Sequence, residues 1–219
     1  MMNRRYDLIV FDWDGTLMDS TALIAGSIQA ACRDLGLKVP SDEAARHVIG
    51  LGLVQALRHA VPDAPESMYG QLADRYRHHF LAKDQEIPLF KGAQETVAEL
   101  HGKGYALGVA TGKSATGLSR ALDATGMRRY FHATRTADRT HSKPHPAMLF
   151  ELMEELAVSA ERTLMVGDTT HDVQLAKNAG VDAVAVSHGA HPEEELLALN
   201  PLALVGDFAA LRSWFRECA

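Results

Sequence analysis

The apolar run Leu8-Ile9-Val10-Phe11 passes straight into Asp12-Trp13-Asp14-Gly15, and no other part of the chain constrains the fold as much. A short aliphatic and β-branched run reads as a strand buried on both faces, the habit of a parallel sheet covered by helices. In open α/β sheets, ligands bind beyond the carboxyl ends of the strands, beside the point where strand order reverses. Two carboxylates placed there repel each other unless a cation or a shared proton compensates. The junction therefore points to a metal-dependent reaction centre. An ordinary strand-to-loop turn is the plain alternative.

The rest of the chain falls into two stretches of different character. From Asp19 to Phe80 no strand pattern appears, and helices are predicted over Thr21–Leu35, from Ser41 onward, over Leu53–Ala60 and from Glu66 to about Leu81. From Ile87-Pro88-Leu89-Phe90 onward, strands and helices alternate, which implies βαβ units and a parallel sheet. Strands are predicted over Tyr105–Ala110, near Phe131–Thr134, over Thr163–Val166, Ala183–Val186 and Leu202–Val205. Helices are predicted over Gly92–His101, Ser114–Ala124, Pro146–Leu156, Asp172–Ala179 and Phe208–Arg216. The economical architecture is an α/β, doubly wound, Rossmann-like core made of residues 1–17 and 88–219. A small all-helical insertion at 18–87 then sits over the sheet's carboxyl edge.

The chain's 219 residues can bury a core of that size. A formal charge of −6 argues against a general nucleic-acid binder, whose phosphate contacts need a basic face. No apolar stretch is long enough to span a bilayer, so no membrane partner is expected. Asn3-Arg4-Arg5 leads into a strand rather than into the apolar core of a signal peptide. Cys32 and Cys218 cannot be paired from spacing and stand in no metal-ligand pattern. A reducing cytoplasm is the default location.

Three further motifs stand at predicted strand ends or in adjoining loops. Thr111-Gly112-Lys113-Ser114 offers a hydroxyl and free backbone N–H groups to an anion, or is a plain helix cap. In Ser142-Lys143-Pro144-His145-Pro146 the two prolines stiffen a loop that can hold one lysine as a fixed point charge. A lone lysine is otherwise simply solvated. Gly167-Asp168-Thr169-Thr170-His171-Asp172 ends an apolar strand and places Asp172 where a helix begins, a common position for an acid on electrostatic grounds alone. His171 has no second histidine or cysteine at ligand spacing, which argues against zinc.

Asp-x-Asp-Gly-Thr after a hydrophobic strand resembles the first motif of the haloacid-dehalogenase-like hydrolases, which are mostly phosphatases. Thr111, Lys143 with its Lys-Pro-x-Pro context, and Gly-Asp-x-x-x-Asp at 167–172 resemble the second, third and fourth motifs, in order. The resemblance implies that Asp12 is the nucleophile and Asp14 the proton donor and acceptor. It implies that Thr111, Gly112 and Lys143 bind the phosphoryl group, and that Mg²⁺ is held by Asp12, the Asp14 backbone carbonyl, Asp168 and Asp172. Many relatives similar to phosphoglycolate phosphatases carry Asn after the threonine, and Gly112 departs from that pattern. The helical insertion resembles the family's cap. Its loop from Arg46 to Gly52 is the candidate for specificity, with Arg46 or His47 meeting a second anionic group, or being solvated helix-end charges.

The implied partner is a small phosphorylated metabolite, with phosphoglycolate as the leading analogy; oligomeric state is not legible. Two rivals are defined. A mutase resembling β-phosphoglucomutase carries a histidine where Ile24 stands, and its absence favours water as the acceptor. A non-enzymatic phospho-acceptor resembling bacterial receiver domains lacks the insertion, and Asp14, two residues past the nucleophile, favours rapid turnover over signal storage.

Overall fold

The structure is a computed structural model and describes residues 5–218. Asn3 and Arg4 lie outside the described residues, as does the side chain of Cys218. Six strands run over Leu8–Phe11 (β1), Ala106–Thr111 (β2), Ala133–Thr136 (β3), Thr163–Gly167 (β4), Asp182–Val186 (β5) and Ala203–Val205 (β6). They form one parallel sheet in the order β3-β2-β1-β4-β5-β6. Strand order reverses between β1 and β4, so a crevice opens beside the carboxyl end of β1.

Side chains alternate across β1, and every residue of it is buried. Ile9 and Phe11 join Leu107, Val109, Leu164 and Val166 in one apolar layer, while Leu8 and Val10 join Met165 in the other. The first layer is closed by helices Ala93–Gly102 (α5), Ala115–Thr125 (α6) and Phe208–Cys218 (α10), through Val97, Leu118, Leu122 and Leu211. The second is closed by Ala147–Leu156 (α7), Thr170–Ala179 (α8) and Glu193–Ala198 (α9), through Leu152, Val173 and Leu196. Each such aliphatic side chain stabilises by roughly 1.5–3 kcal/mol when fully buried. Continuous apolar strands are thus explained by helices on both faces.

Between β1 and β2 lie helices Thr21–Asp34 (α1), Asp42–His47 (α2), Leu53–Ala60 (α3) and Tyr69–Leu81 (α4). They enclose an apolar cluster of their own that includes Ile28, Leu57, Leu72 and Phe80. Two connecting segments run side by side at its base. Asp19 N–H donates to Pro88 O at 3.0 Å, and Phe90 N–H donates to Leu17 O at 2.9 Å.

Three differences from the sequence reading have local causes. The helix expected from Glu66 opens with a single 3₁₀ turn, Glu66–Met68, after Pro65, a tightening common at helix starts. Helix α8 begins at Thr170 because Thr169 and Asp172 form a capping box. The Thr169 hydroxyl accepts from Asp172 N–H at 3.3 Å, and the Asp172 carboxylate accepts from Thr169 N–H at 3.0 Å. Helix α9 was not anticipated, although Pro192 followed by three glutamates in a first turn is its signature.

Candidate active site

The register places Phe11 opposite Val109 on one side and Val166 on the other. Asp12, Thr111 and Asp168 consequently leave the sheet at one edge. Asp12, Asp168 and Asp172 are buried, and one carboxylate oxygen from each lies within 4.8 Å of the others. Lys143 is buried among them, its Nζ 2.8 Å from Asp12 Oδ1 and 2.6 Å from Asp172 Oδ1. The ammonium thus bridges Asp12 and Asp172, and Asp12 Oδ2 is left with no hydrogen-bond partner among the described residues.

The remaining oxygens are held by short bonds. Thr16 Oγ1 donates to Asp168 Oδ1 at 2.6 Å, and Ala190 N–H donates to Asp168 Oδ2 at 2.8 Å. Thr169 Oγ1 donates to Asp172 Oδ2 at 2.6 Å. Gly15, at φ +80°, lets the loop pass over Asp168: a Cβ there would stand 2.2 Å from Asp168 Oδ2. Thr111 is buried, and its hydroxyl accepts from Lys113 N–H at 3.2 Å.

Three carboxylates facing one ammonium leave uncompensated negative charge. Burial pushes the Asp12 carboxyl well above the usual range, with Lys143 opposing and Asp172 and Asp168 adding to the rise. Asp168 is pushed up to about 7, by burial first and then by the charge on Asp172. Burial alone would lower Lys143, but Asp12 and Asp172 outweigh it and hold the ammonium above its ordinary value. The cluster takes up positive charge: a proton, or a cation.

Asp14 faces a different environment. Its Oδ1 accepts from Ser20 Oγ at 2.6 Å and lies 3.0 Å from Lys113 Nζ. Its carboxylate is not part of the three-acid cluster.

A haloacid dehalogenase-like hydrolase family model matches residues 9–186. Among curated relatives, the probable phosphatase IndB of Dickeya dadantii is 36% identical over 208 residues, covering 92% of this chain and 90% of that protein. A 5'-nucleotidase of Pseudomonas aeruginosa is 32% identical over 210 residues, covering 95% of each. A crystal structure described as a predicted phosphoglycolate phosphatase from Haemophilus somnus superposes with a TM-score of 0.85 at 25% identity, covering 96% of this chain and 98% of that one. The chain belongs to the haloacid dehalogenase-like hydrolases.

The donor set of this hydrolase fits a hard divalent cation. All three acids offer oxygen, and the buried Asp12 Oδ2 lacks a hydrogen-bond partner among the described residues. The departure at Gly112 has a steric reason. A Cβ there would stand 2.4 Å from Leu51 O and 2.7 Å from Gly50 O, so the loop between α2 and α3 packs its backbone directly on Gly112. The same loop is tied elsewhere, because Gly52 N–H donates to Ser142 Oγ at 2.8 Å.

The contacts of Arg46 and His47 are with residues other than the three acids. Arg46 donates to Asp42 Oδ2 at 2.7 Å and to Thr21 Oγ1 at 3.0 Å. The His47 ring stacks on His191 at 4.5 Å, and the His47 carbonyl accepts from His171 Nε2 at 3.0 Å and His191 Nε2 at 3.1 Å. Because a carbonyl only accepts, both Nε2 atoms carry protons, and His191 Nδ1 is left to accept from Thr170 N–H at 3.1 Å. Burial, with His171 and His47 nearby, pushes His191 down to about 4.

Sequence reasoning gave no role to Thr16, Ser20, Lys113 and Thr169. Thr16, Lys113 and Thr169 stand inside the quoted motifs and Ser20 four residues past the first, so the signal was present. Ala190 had none, since a main-chain donor carries no side-chain signature.

Proposed function

We propose that this hydrolase is a Mg²⁺-dependent phosphatase that cleaves a small phosphorylated metabolite through an aspartyl-phosphate on Asp12. The observation that carries the reading is the Asp12 carboxylate. It is buried at the switch point of the sheet, faces Lys143 through Oδ1 at 2.8 Å, and leaves Oδ2 with no hydrogen-bond partner among the described residues. That oxygen is the one left to meet phosphorus, and the covalent route splits one hard step into two.

Asp12 attacks phosphorus, and the phosphorus–oxygen bond to the leaving alcohol breaks. Asp14 protonates that alcohol, then takes a proton from the water that attacks the aspartyl-phosphate and releases inorganic phosphate. Lys143 and Thr111, with the backbone at Gly112, stabilise the equatorial oxygens as charge moves. Asp12, Asp168 and Asp172 would hold Mg²⁺ with the Asp14 main-chain carbonyl, and the ion would supply neutralising charge at the phosphoryl group.

Residues 18–87 act as a cap on a core made of 1–17 and 88–219. The loop packed on Gly112 covers the second motif, which favours a small metabolite over a phosphoprotein, and phosphoglycolate and nucleoside monophosphates are the first substrates to test. Ile24 stands in the apolar cluster of the cap and cannot accept a proton, which favours hydrolysis over transfer to a second sugar. Cys32 is a buried free thiol, in keeping with a reducing cytoplasm.

The test is Mg²⁺-dependent phosphate release from a panel of phosphorylated metabolites, scored by kcat/KM. Asp12→Asn is expected to lower it by on the order of 10⁴ or more. Undiminished activity in that variant, freed of contaminating phosphatase, overturns the nucleophile.

A further inference from the structure

Lys113 is a half-buried lysine whose contacts the phosphoryl chemistry leaves unused. It directly precedes Ser114, which caps α6 by accepting from Gly117 N–H at 3.2 Å. Its side chain is only 10% exposed and turns back into the cleft, with Nζ 3.0 Å from Asp14 Oδ1. On the opposite side the ammonium lies 4.8 Å from the centre of the Phe80 ring on α4, and Phe80 stacks on Tyr76 at 5.7 Å. One lysine is thus held between a core carboxylate and an aromatic wall.

Position gives this contact its meaning. On the mechanism above, Asp14 hands its proton to the leaving oxygen, so that oxygen lies within one hydrogen bond of Asp14. The first carbons of the leaving alcohol then stand beside Lys113 Nζ. Lys143 is committed at the phosphoryl end, between Asp12 and Asp172. Arg46 is committed to Asp42 and Thr21. Lys113 is the cation placed to face the alcohol. A neutral alcohol leaves it paired with Asp14 alone, whereas an alcohol bearing an anion supplies a second partner in a site that excludes water, where charge-assisted bonds are strong.

We infer that Lys113 is a specificity-determining residue, whose ammonium selects phosphate monoesters carrying a negative charge on the carbon next to the ester. The inference rests on the phosphatase reading and names the substrate class of that same site.

The experiment compares two esters of nearly equal size, 2-phosphoglycolate and 2-hydroxyethyl phosphate, with p-nitrophenyl phosphate as a third substrate. Each is assayed with Mg²⁺ on the wild-type protein, Lys113→Gln and Lys113→Arg, and melting temperatures report folding. Wild type is expected to favour the carboxylate ester in kcat/KM by about tenfold or more, the range of a hydrogen bond to a charged group. In Lys113→Gln that ratio falls to within about twofold of unity, and Lys113→Arg retains part of it. Equal losses on both esters in Lys113→Gln would assign the lysine to holding Asp14 in place and overturn the inference. So would wild-type release of phosphate without preference. Failure to release phosphate from any of the three esters overturns the phosphatase reading, and Lys113's role with it.

Discussion

On the proposed reading, proton and Mg²⁺ compete for the same buried carboxylate, so the stabilisation that Mg²⁺ gives this hydrolase should depend on pH. Asp168 rises from 3.8 to about 7 in the folded protein. Between those values the metal-free folded state binds one more proton than the unfolded chain. Its stability is therefore fully present below pH ~4 and falls by about 1.4 kcal/mol per pH unit up to pH ~7. The total is roughly 4 kcal/mol, and Asp12, also raised, acts in the same direction.

His191 opposes this over part of the range. Its value drops from 6.5 to about 4, so its contribution is present above pH 6.5 and is lost as pH falls toward 4. That imidazole is engaged by Thr170 and the His47 carbonyl, so its effect cancels when the same protein is compared with and without Mg²⁺. The Mg²⁺-induced rise in Tm should consequently grow between pH 4.5 and 7.5, by roughly 10 °C for a protein of this size. Thermal unfolding by circular dichroism, with saturating Mg²⁺ or with EDTA, measures it. A metal-induced shift that is the same at both ends of the range refutes the reasoning. Asp168→Asn should abolish most of the pH dependence, because the amide oxygen can still accept from Ala190 N–H while its NH₂ donates to Thr16 Oγ1, but it has no proton to exchange for the ion.

Two further outcomes follow from single contacts. Lys143→Met strips the buried counter-charge from Asp12 and Asp172, and urea unfolding without metal should show a loss of about 3–5 kcal/mol. Gly112→Ala puts a Cβ against the carbonyls of Gly50 and Leu51, forcing that loop off the site. Activity on small esters should drop about tenfold to a hundredfold through misplacement, while Tm stays within a few degrees.

The doubly wound sheet was legible in the sequence because period and punctuation agree. Apolar runs ending in Asp12, Thr111 and Asp168 could only be strands covered on both faces. Helix α9 escaped because six residues after a proline carry too little periodicity to register. At the site, the residue types on the motif spacing were legible, but the partners of each carboxylate were not. Lys113 stood at a helix entry, and Ser20 carried no role. Their engagement with Asp14 depends on where the loop between β1 and α1 and a neighbouring strand bring them in space. Gly112 looked like a missing side chain, and its reason lies in the backbone of a loop far away in sequence.

The separation of Asp12 from Asp14 is itself a folding result. Residues two apart in a continuing strand project to the same face, which would have crowded both acids around Lys143. The chain folds back instead: Leu17 N–H and Met18 N–H both donate to Trp13 O, at 2.9 and 3.0 Å. Trp13, between the two acids, is completely buried, packs edge-on against Phe131 at 6.3 Å, and donates its indole N–H to Met18 Sδ at 3.3 Å. With that ring as the pivot, Asp12 stays with Lys143 and Asp172, while Asp14 turns to Ser20 and Lys113. A nucleophile must keep its charge beside the phosphoryl group, and a proton carrier must be able to lose and regain its own. Two acids sharing one lysine could not be set to both tasks, because their titrations would be coupled through it. One indole and two lysines give each acid its own surroundings, which is what the two-step displacement proposed for this site requires.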